Sequence, residues 1–385
     1  MMIHIDADNL CRTACDLVAI DSVNPRLAPG AGGEAEIAAY VARALGDLGL
    51  EVSVHEPEPG RPSVVGRLPG SGGGRSLMLN AHYDTVGVEG MENPFEPILR
   101  GRRLYGRGAY DMKGSLAACL AAARALVRAP VELGGDLLVA AVADEEYASL
   151  GTRDLIDRYS VNGAIVTEPT GLDVCLAHRG FTWLEVETLG RAAHGSRFRE
   201  GVDANLRMGR VLAKLEELER ELRARPGHPL LGPPSLHAAT LRGGTGISTY
   251  AARCRLEVER RTVPGESEAQ VERELREILE ALECEDPTFE ASLRVLFSRE
   301  PFETSRQAPV VRAVRAAARH VLKREPKLVG ESPWMDSALL AAAGMDTVVI
   351  GPSGGGAHAA EEWVELESVR RLAEILAHAA LDYCG

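Results

Sequence analysis

The sequence predicts an α/β protein with a mostly parallel sheet, interrupted by a smaller inserted α+β domain. Three observations carry this. Short apolar runs alternate with helical patterns near both ends of the chain. The middle of the chain changes to half-apolar alternation, and the α/β patterning resumes after about Glu300. At 385 residues, the chain is also longer than one ordinary core organises, so two domains are expected.

In order along the chain, apolar spacing of three and four predicts helices from about Asp6 to Ile20 and Glu34 to Leu48. Apolar runs at Val64–Arg67, Leu77–Ala81, Leu137–Ala143, Ala164–Thr167 and Thr347–Ile350 read as buried strands. The Ala-rich helix Ser115–Val127 and the segment Thr152–Tyr159 lie between them. Strands alternating with helices indicate a sheet covered on both faces. In the middle, Phe181–Thr188, Cys254–Arg260 and Phe289–Phe297 alternate as half-exposed strands do. Helical patterns cover Asp203–Arg223 and Ser267–Leu282, with Pro-Gly punctuation over Arg225–Pro234. The order strand, helix, strand, strand, helix, strand indicates a small α+β domain with one exposed sheet face. The larger domain is expected over residues 1–178 and 299–385, and the inserted one over 179–298.

Composition excludes some functions. A net charge of −13 argues against nucleic acid as a partner, which needs a basic footprint. No apolar stretch is long enough to span a bilayer. The start MMIHIDADNL carries acids rather than a basic leader, and the seven cysteines form no CxxC pair. Both point to a cytoplasmic chain with reduced thiols. Cys11 and Cys15 share a helix face and read as core packing.

The chemistry gathers at strand ends. His82 and Asp84 follow one apolar run, Glu145 and Glu146 another, Glu168 a third. His358 follows the last run after a Gly-rich loop, and Asp111 lies in the loop GRGAYDMKG just before a helix. In open α/β sheets, sites form beyond the carboxyl ends of strands. Two adjacent carboxylates at a strand mouth repel each other, and a divalent cation offsets that repulsion. Imidazole with carboxylate suits zinc, cobalt or manganese in hydrolytic sites. No cysteine accompanies these motifs, so a closed structural zinc site is not indicated. A carboxylate two residues after a ligating imidazole can take its other N–H.

The chain resembles the M20 family of metallopeptidases and deacylases. The matching segments are NAHYDTV (80–86), GRGAYDMKG (106–114), ADEE (143–146), TEPT (167–170), AHGS (193–196), ERRTVPGE (259–266) and AHAAEEWV (357–364). They occur in the family's order and span nearly the whole length. The resemblance implies a zinc-hydrolase catalytic domain with an inserted lid and dimerisation domain, hence a homodimer. It implies two divalent ions, zinc with cobalt or manganese as alternatives. His82 and Glu168 would hold one ion, Glu146 and His358 the other, and Asp111 would bridge them. Glu145 would be general base and then acid for a metal-bridged water, Asp84 would orient His82, and the peptide after Asp111 would be cis. His194 would donate to the carbonyl oxygen in the transition state, across the dimer. Arg261 would grip a substrate carboxylate, although pairing with Glu259 or Glu266 along its strand is a competing use. The loop Gly354–Gly356, centred on Gly355, offers backbone N–H groups to substrate. Where the family often has GGTxxNxxP, residues 243–251 read GGTGISTYA. Ser248 therefore puts a hydroxyl where an amide would contact substrate.

The activity this implies is hydrolysis of the linear amide C–N bond of a small N-acyl amino acid, as in acetylornithine deacetylase. The alternatives are an exopeptidase acting on peptides, a succinyl-diaminopimelate desuccinylase, or a non-catalytic metal-binding relative. Loss of Glu145 would mark the last, and Glu145 is present. His178, His228, His237, His320 and His378 read as structural or surface residues. Asp336 reads as a helix cap or a support behind the site.

Overall fold

The computed structural model describes residues 3–385. The chain divides into two compact units. One comprises 1–176, 304–329 and 335–385; the other comprises 177–303 and 330–334.

The larger unit is built on a mixed sheet. Its centre is parallel: Leu77–His82 pairs with Leu137–Val142 on one side and Gly163–Val166 on the other, and Gly163–Val166 pairs with Asp346–Val349. The edges are antiparallel, with Ser63–Leu68 against Leu137–Val142 and Glu51–His55 beyond it. At the other edge Val349 pairs antiparallel with Cys175 of the Val174–His178 strand. Every residue of Leu77–His82 and Leu137–Val142 is buried. That is why these strands read as unbroken apolar runs rather than alternating ones. Fully burying each Leu or Val contributes about 1.5–3 kcal/mol.

Helices cover both faces. Ala7–Ala19, Gly114–Arg128, Pro309–Leu322 and Leu366–Cys384 pack together on one, and Ala35–Asp47, Leu150–Arg158 and Ser337–Ala342 lie on the other. Asp6 caps the first helix by accepting from the Asn9 N–H at 3.0 Å. Gly114–Arg128 is buried along most of its length, and its alanines allow close approach to the sheet. Elements that escape the sequence reading include strands Glu51–His55 and Val174–His178, and helices Pro309–Leu322 and Leu366–Cys384. A second small antiparallel sheet joins Ile98–Arg100, Arg103–Tyr105, Trp363–Glu365 and Gly354–Gly355. It ties two segments about 250 positions apart.

The smaller unit is a four-stranded antiparallel sheet in the order Ser235–Gly243, Arg253–Thr262, Gly180–Leu189, Ala291–Arg299. Leu184, Val186, Leu256 and Val258 point inward against Leu215, Leu218, Leu275 and Leu279 of helices Ala204–Ala224 and Glu268–Glu285. Asp203 and Ser267 cap those helices, accepting from the N–H groups of Asn205 and Gln270. The last strand starts two residues later than expected, because Phe289 is buried in the turn before it. The opposite sheet face carries Trp183, Glu185, Arg255 and Arg294.

Candidate metal centre

The site grows from the ends of the central strands. His82 is the last residue of its strand and only 2% exposed. Its Nδ1 lies 3.0 Å from the backbone carbonyl of Asp84. A carbonyl can only accept, so the Nδ1 proton is fixed there and Nε2 faces the site. Nε2 lies 3.1 Å from Asp111 Oδ1 and 3.4 Å from Glu168 Oε1.

Asp111 sits in the turn Ala109–Lys113, and its peptide bond to Met112 is cis. Its second oxygen, Oδ2, lies 3.4 Å from His358 Nε2. The same nitrogen is 3.1 Å from Glu146 Oε2. Asp111 thus offers one oxygen to each of two histidines, and each histidine has a further carboxylate of its own. Single donor atoms of His82, Glu145 and Glu168 all lie within 4.8 Å of one another, as do those of His82, Asp111 and Glu146. His358 occupies the left-handed region with φ of 61°. Non-glycine residues enter that region rarely and only where their surroundings hold them.

The electrostatics fit a cation. Burial pushes the Glu145 carboxyl well above its ordinary range, helped by the negative charge of Glu168, Asp336 and Glu146. Burial, with Asp111 nearby, pushes Glu146 up to about 7, and burial also raises Glu168. Burial would raise Asp111 too, but hydrogen bonds from His358 and His82 outweigh it and hold Asp111 below its usual range. Hydrogen bonds donated by His358 to Asp111 and Glu146 carry its pKa up to about 10. Among the described residues, no lysine or arginine ion-pairs with any of these four carboxylates. Four crowded acids with two imidazoles and no fixed cation form the donor set that hard or borderline divalent ions take.

A buried polar network holds the loop bearing Glu145 and Glu146. Asp84 Oδ1 accepts from the Glu145 N–H at 3.0 Å, and Oδ2 from the Glu146 N–H at 3.2 Å. The Asp84 carboxylate stands 3.6 Å from His82 Nδ1, so its hydrogen bonds go to this loop while its carbonyl holds the ring. The Asn24 amide bridges Asp84 and Asp144 at 2.8 and 3.0 Å. Arg61 grips Asp144 at 2.7 Å and Glu34 through two bonds of 2.6 Å. A Cβ at Gly151 would collide with the Ala143 backbone and the Ser63 hydroxyl, so the loop closes this tightly only on glycine. The sequence reading gives Asn24, Arg61, Glu34 and Asp144 no role in the site. Within this network their side-chain partners lie 27 to 120 positions away, and no local pattern announces such contacts. Asp336 is buried, accepts from the Thr152 hydroxyl and adds negative charge near Glu145 and Glu168.

The remaining expected residues divide between the units. Gly355 belongs to the larger one, in a two-residue strand paired with Trp363 rather than an open loop. His194, Ser248 and Arg261 belong to the smaller one. His194 Nδ1 lies 2.8 Å from the Ser196 hydroxyl and 3.3 Å from the Ser196 N–H, so Ser196 holds the ring through that nitrogen. The Ser248 carbonyl accepts from the Gly195 N–H at 2.8 Å and so fixes the His194 turn. Arg261 pairs with Glu259 at 3.0 Å and lies over the Phe181 ring at 5.2 Å. Glu266 pairs with Arg260 instead.

Comparison with known proteins agrees with this architecture. The chain is 31% identical to an acetylornithine deacetylase of Myxococcus xanthus, over 97% of each sequence. It is 29% identical to an N-formyl-4-amino-5-aminomethyl-2-methylpyrimidine deformylase of Bacillus subtilis, over 93% of this chain and 91% of that one. Its fold superposes on the crystal structure of aminopeptidase PepT from Bacillus cereus with a TM-score of 0.82, at 20% identity and 99% coverage of both. No helix among the described residues is long and apolar enough to cross a membrane. Residues 78–382 match peptidase family M20/M25/M40, and the chain belongs to that family of hydrolases acting on amide C–N bonds.

Proposed function

We propose that this chain is a two-metal amidohydrolase that removes the acyl group from a small N-acyl amino acid, in the manner of an acetylornithine deacetylase. The observation that carries the reading is Asp111, whose two oxygens face two different histidines. His82 and Glu168 would hold one divalent ion, Glu146 and His358 the other, and Asp111 both. Zinc fits this donor set, as do cobalt and manganese. When bound, the ions polarise the scissile carbonyl and make water acidic enough to attack at neutral pH.

Glu145 takes a proton from the attacking water and returns it to the leaving nitrogen, so the amide becomes a carboxylic acid and an amine. Burial raises its pKa, and a raised pKa makes the carboxylate a stronger base. His194 presents an Nε2–H donor to the oxyanion as it forms. In a homodimer that donor would serve the partner's site. Ser248 acts through its carbonyl on the His194 turn, and Gly355 lines the loop beside His358.

A second reading, a deformylase of an amine without a carboxylate, is favoured by Arg261. Its guanidinium is already paired with Glu259 and laid on Phe181, so a substrate carboxylate would have to displace an existing partner. The experiment is a panel of N-acetylornithine, N-succinyl-diaminopimelate, a dipeptide and an N-formyl aminomethylpyrimidine, assayed with added zinc or cobalt. The deacetylase reading requires N-acetylornithine to have the highest kcat/KM, and Arg261→Ala to raise its KM most. Preference for the pyrimidine, with Arg261→Ala nearly silent, selects the second reading. No hydrolysis of any amide rejects both.

A further inference from the structure

Glu362 lies in the AHAAEEWV segment, four residues after His358, and the reading above gives it no role. It is 1% exposed. A buried carboxylate is costly unless hydrogen-bonded, and Glu362 is heavily bonded. Oε1 accepts from the N–H groups of Tyr110 at 2.9 Å and Asp111 at 3.0 Å. Oε2 accepts from the Gly108 N–H at 2.9 Å and from Arg107 Nη1 at 2.8 Å. The Glu362 carbonyl also accepts from the Gly106 N–H at 3.2 Å. One side chain therefore grips the turn that presents Asp111, including the N–H of Asp111 itself.

Arg107 completes the clasp. It is 2% exposed and reaches beyond Glu362. Nη2 donates to the carbonyl of Ala359, next to His358, at 3.1 Å. Nε donates to the carbonyl of Gly87 at 3.0 Å, a few residues past Asp84. Asp111 and His358 are about 250 positions apart, and this pair joins their loops directly.

We propose that Glu362, with Arg107, is a positioning residue for the second metal position, fixing Asp111 and His358 in one frame. The proposal rests on the two-metal reading above. His82 and Glu168 stand at strand ends and take none of these hydrogen bonds, so the first position shares only Asp111 with the clasp and should depend on it less than the second, which uses both Asp111 and His358. In Glu362→Gln one oxygen becomes an NH2 group, which faces N–H donors on whichever side it points. Removing an outer partner of a metal ligand typically weakens metal affinity by about 10–100-fold.

The test is a titration of metal-free protein with zinc, followed by calorimetry and metal stoichiometry. Wild type should take up two ions. Glu362→Gln should weaken the second about 10–100-fold and the first clearly less, through the shared Asp111 alone. Its amide hydrolysis should recover as free zinc is raised, which a merely misfolded variant would not do. If Glu362→Gln does not fold, judged by circular dichroism, Arg107→Met is measured the same way with the same expectation. Two ions bound with wild-type affinity, or both weakened equally, overturns the proposal and leaves the two-metal reading intact. Fewer than two ions in wild type overturns that reading, and the proposal with it.

Discussion

Replacing Arg61 by methionine tests the network behind Glu145 and Glu146. Arg61 is 4% exposed, and the side chains of its partners Glu34 and Asp144 are 0% exposed. It makes two bonds of 2.6 Å to Glu34, one of 2.7 Å to Asp144 and one of 3.2 Å to Asn24. Methionine fills the stem volume but leaves two buried carboxylates without a cation. Removing one partner of a buried ion pair costs about 3–5 kcal/mol. That is a large share of the roughly 5–15 kcal/mol that a domain has. The assay is urea unfolding with chelator present, so that lost metal binding is not counted as lost stability. The transition to follow is the one that added zinc shifts in wild type, because the site lies in the larger unit. Glu34→Gln combined with Arg61→Met removes one stranded charge and should cost less than the two single changes summed, the excess being about 0.5–3 kcal/mol. Asn24 and Asp144 also hold the site loop, so zinc uptake by Arg61→Met should weaken as well. A loss below about 1 kcal/mol, the range of exposed pairs, would refute the reasoning.

Other expectations concern the site itself. Glu145→Gln should abolish turnover with metal content nearly unchanged, and Glu146→Gln should weaken one ion; equal metal loss in both would mean the roles are misassigned. His358 in the metal-free chain has its pKa raised to about 10. Its contribution to stability is therefore complete below the unfolded value near 6.5 and is lost as pH rises through about 10. The difference in Tm between metal-free wild type and His358→Ala should shrink over that window, and a constant difference would contradict the assigned hydrogen bonds. His194→Ala should lower kcat by about 10²–10³ with metal content unchanged. Mixing it with Glu145→Gln should restore some activity if the donor crosses a homodimer; none, where subunit exchange is demonstrated, points to donation within one chain.

Much of this molecule is legible in the chain because its signals are local. Leu77–Ala81 and Leu137–Ala143 announce buried strands by composition, since strands covered on both faces need apolar residues at every position. His82, Glu145, Glu146 and Glu168 follow from those strands, because a strand end fixes where the next residues stand. Leu184 and Val186, alternating with Trp183 and Glu185, show in the same way which face of the smaller sheet is inside.

Tertiary structure alone decided what depends on partners distant in sequence. The antiparallel edges arise from pairings such as Val64 with Ala141, which no local period encodes. Arg61, Asn24 and Glu362 resemble ordinary surface polar residues until folding buries them against Asp144, Asp84 and the Asp111 turn. Arg261 reads either as a substrate clamp or as a partner of Glu259 or Glu266, and the folded strand sets it beside Glu259. The residues proposed to carry chemistry are marked by the elements they terminate. Those that hold them in place are marked only by burial, because an unpaired polar group is cheap in water and costly inside.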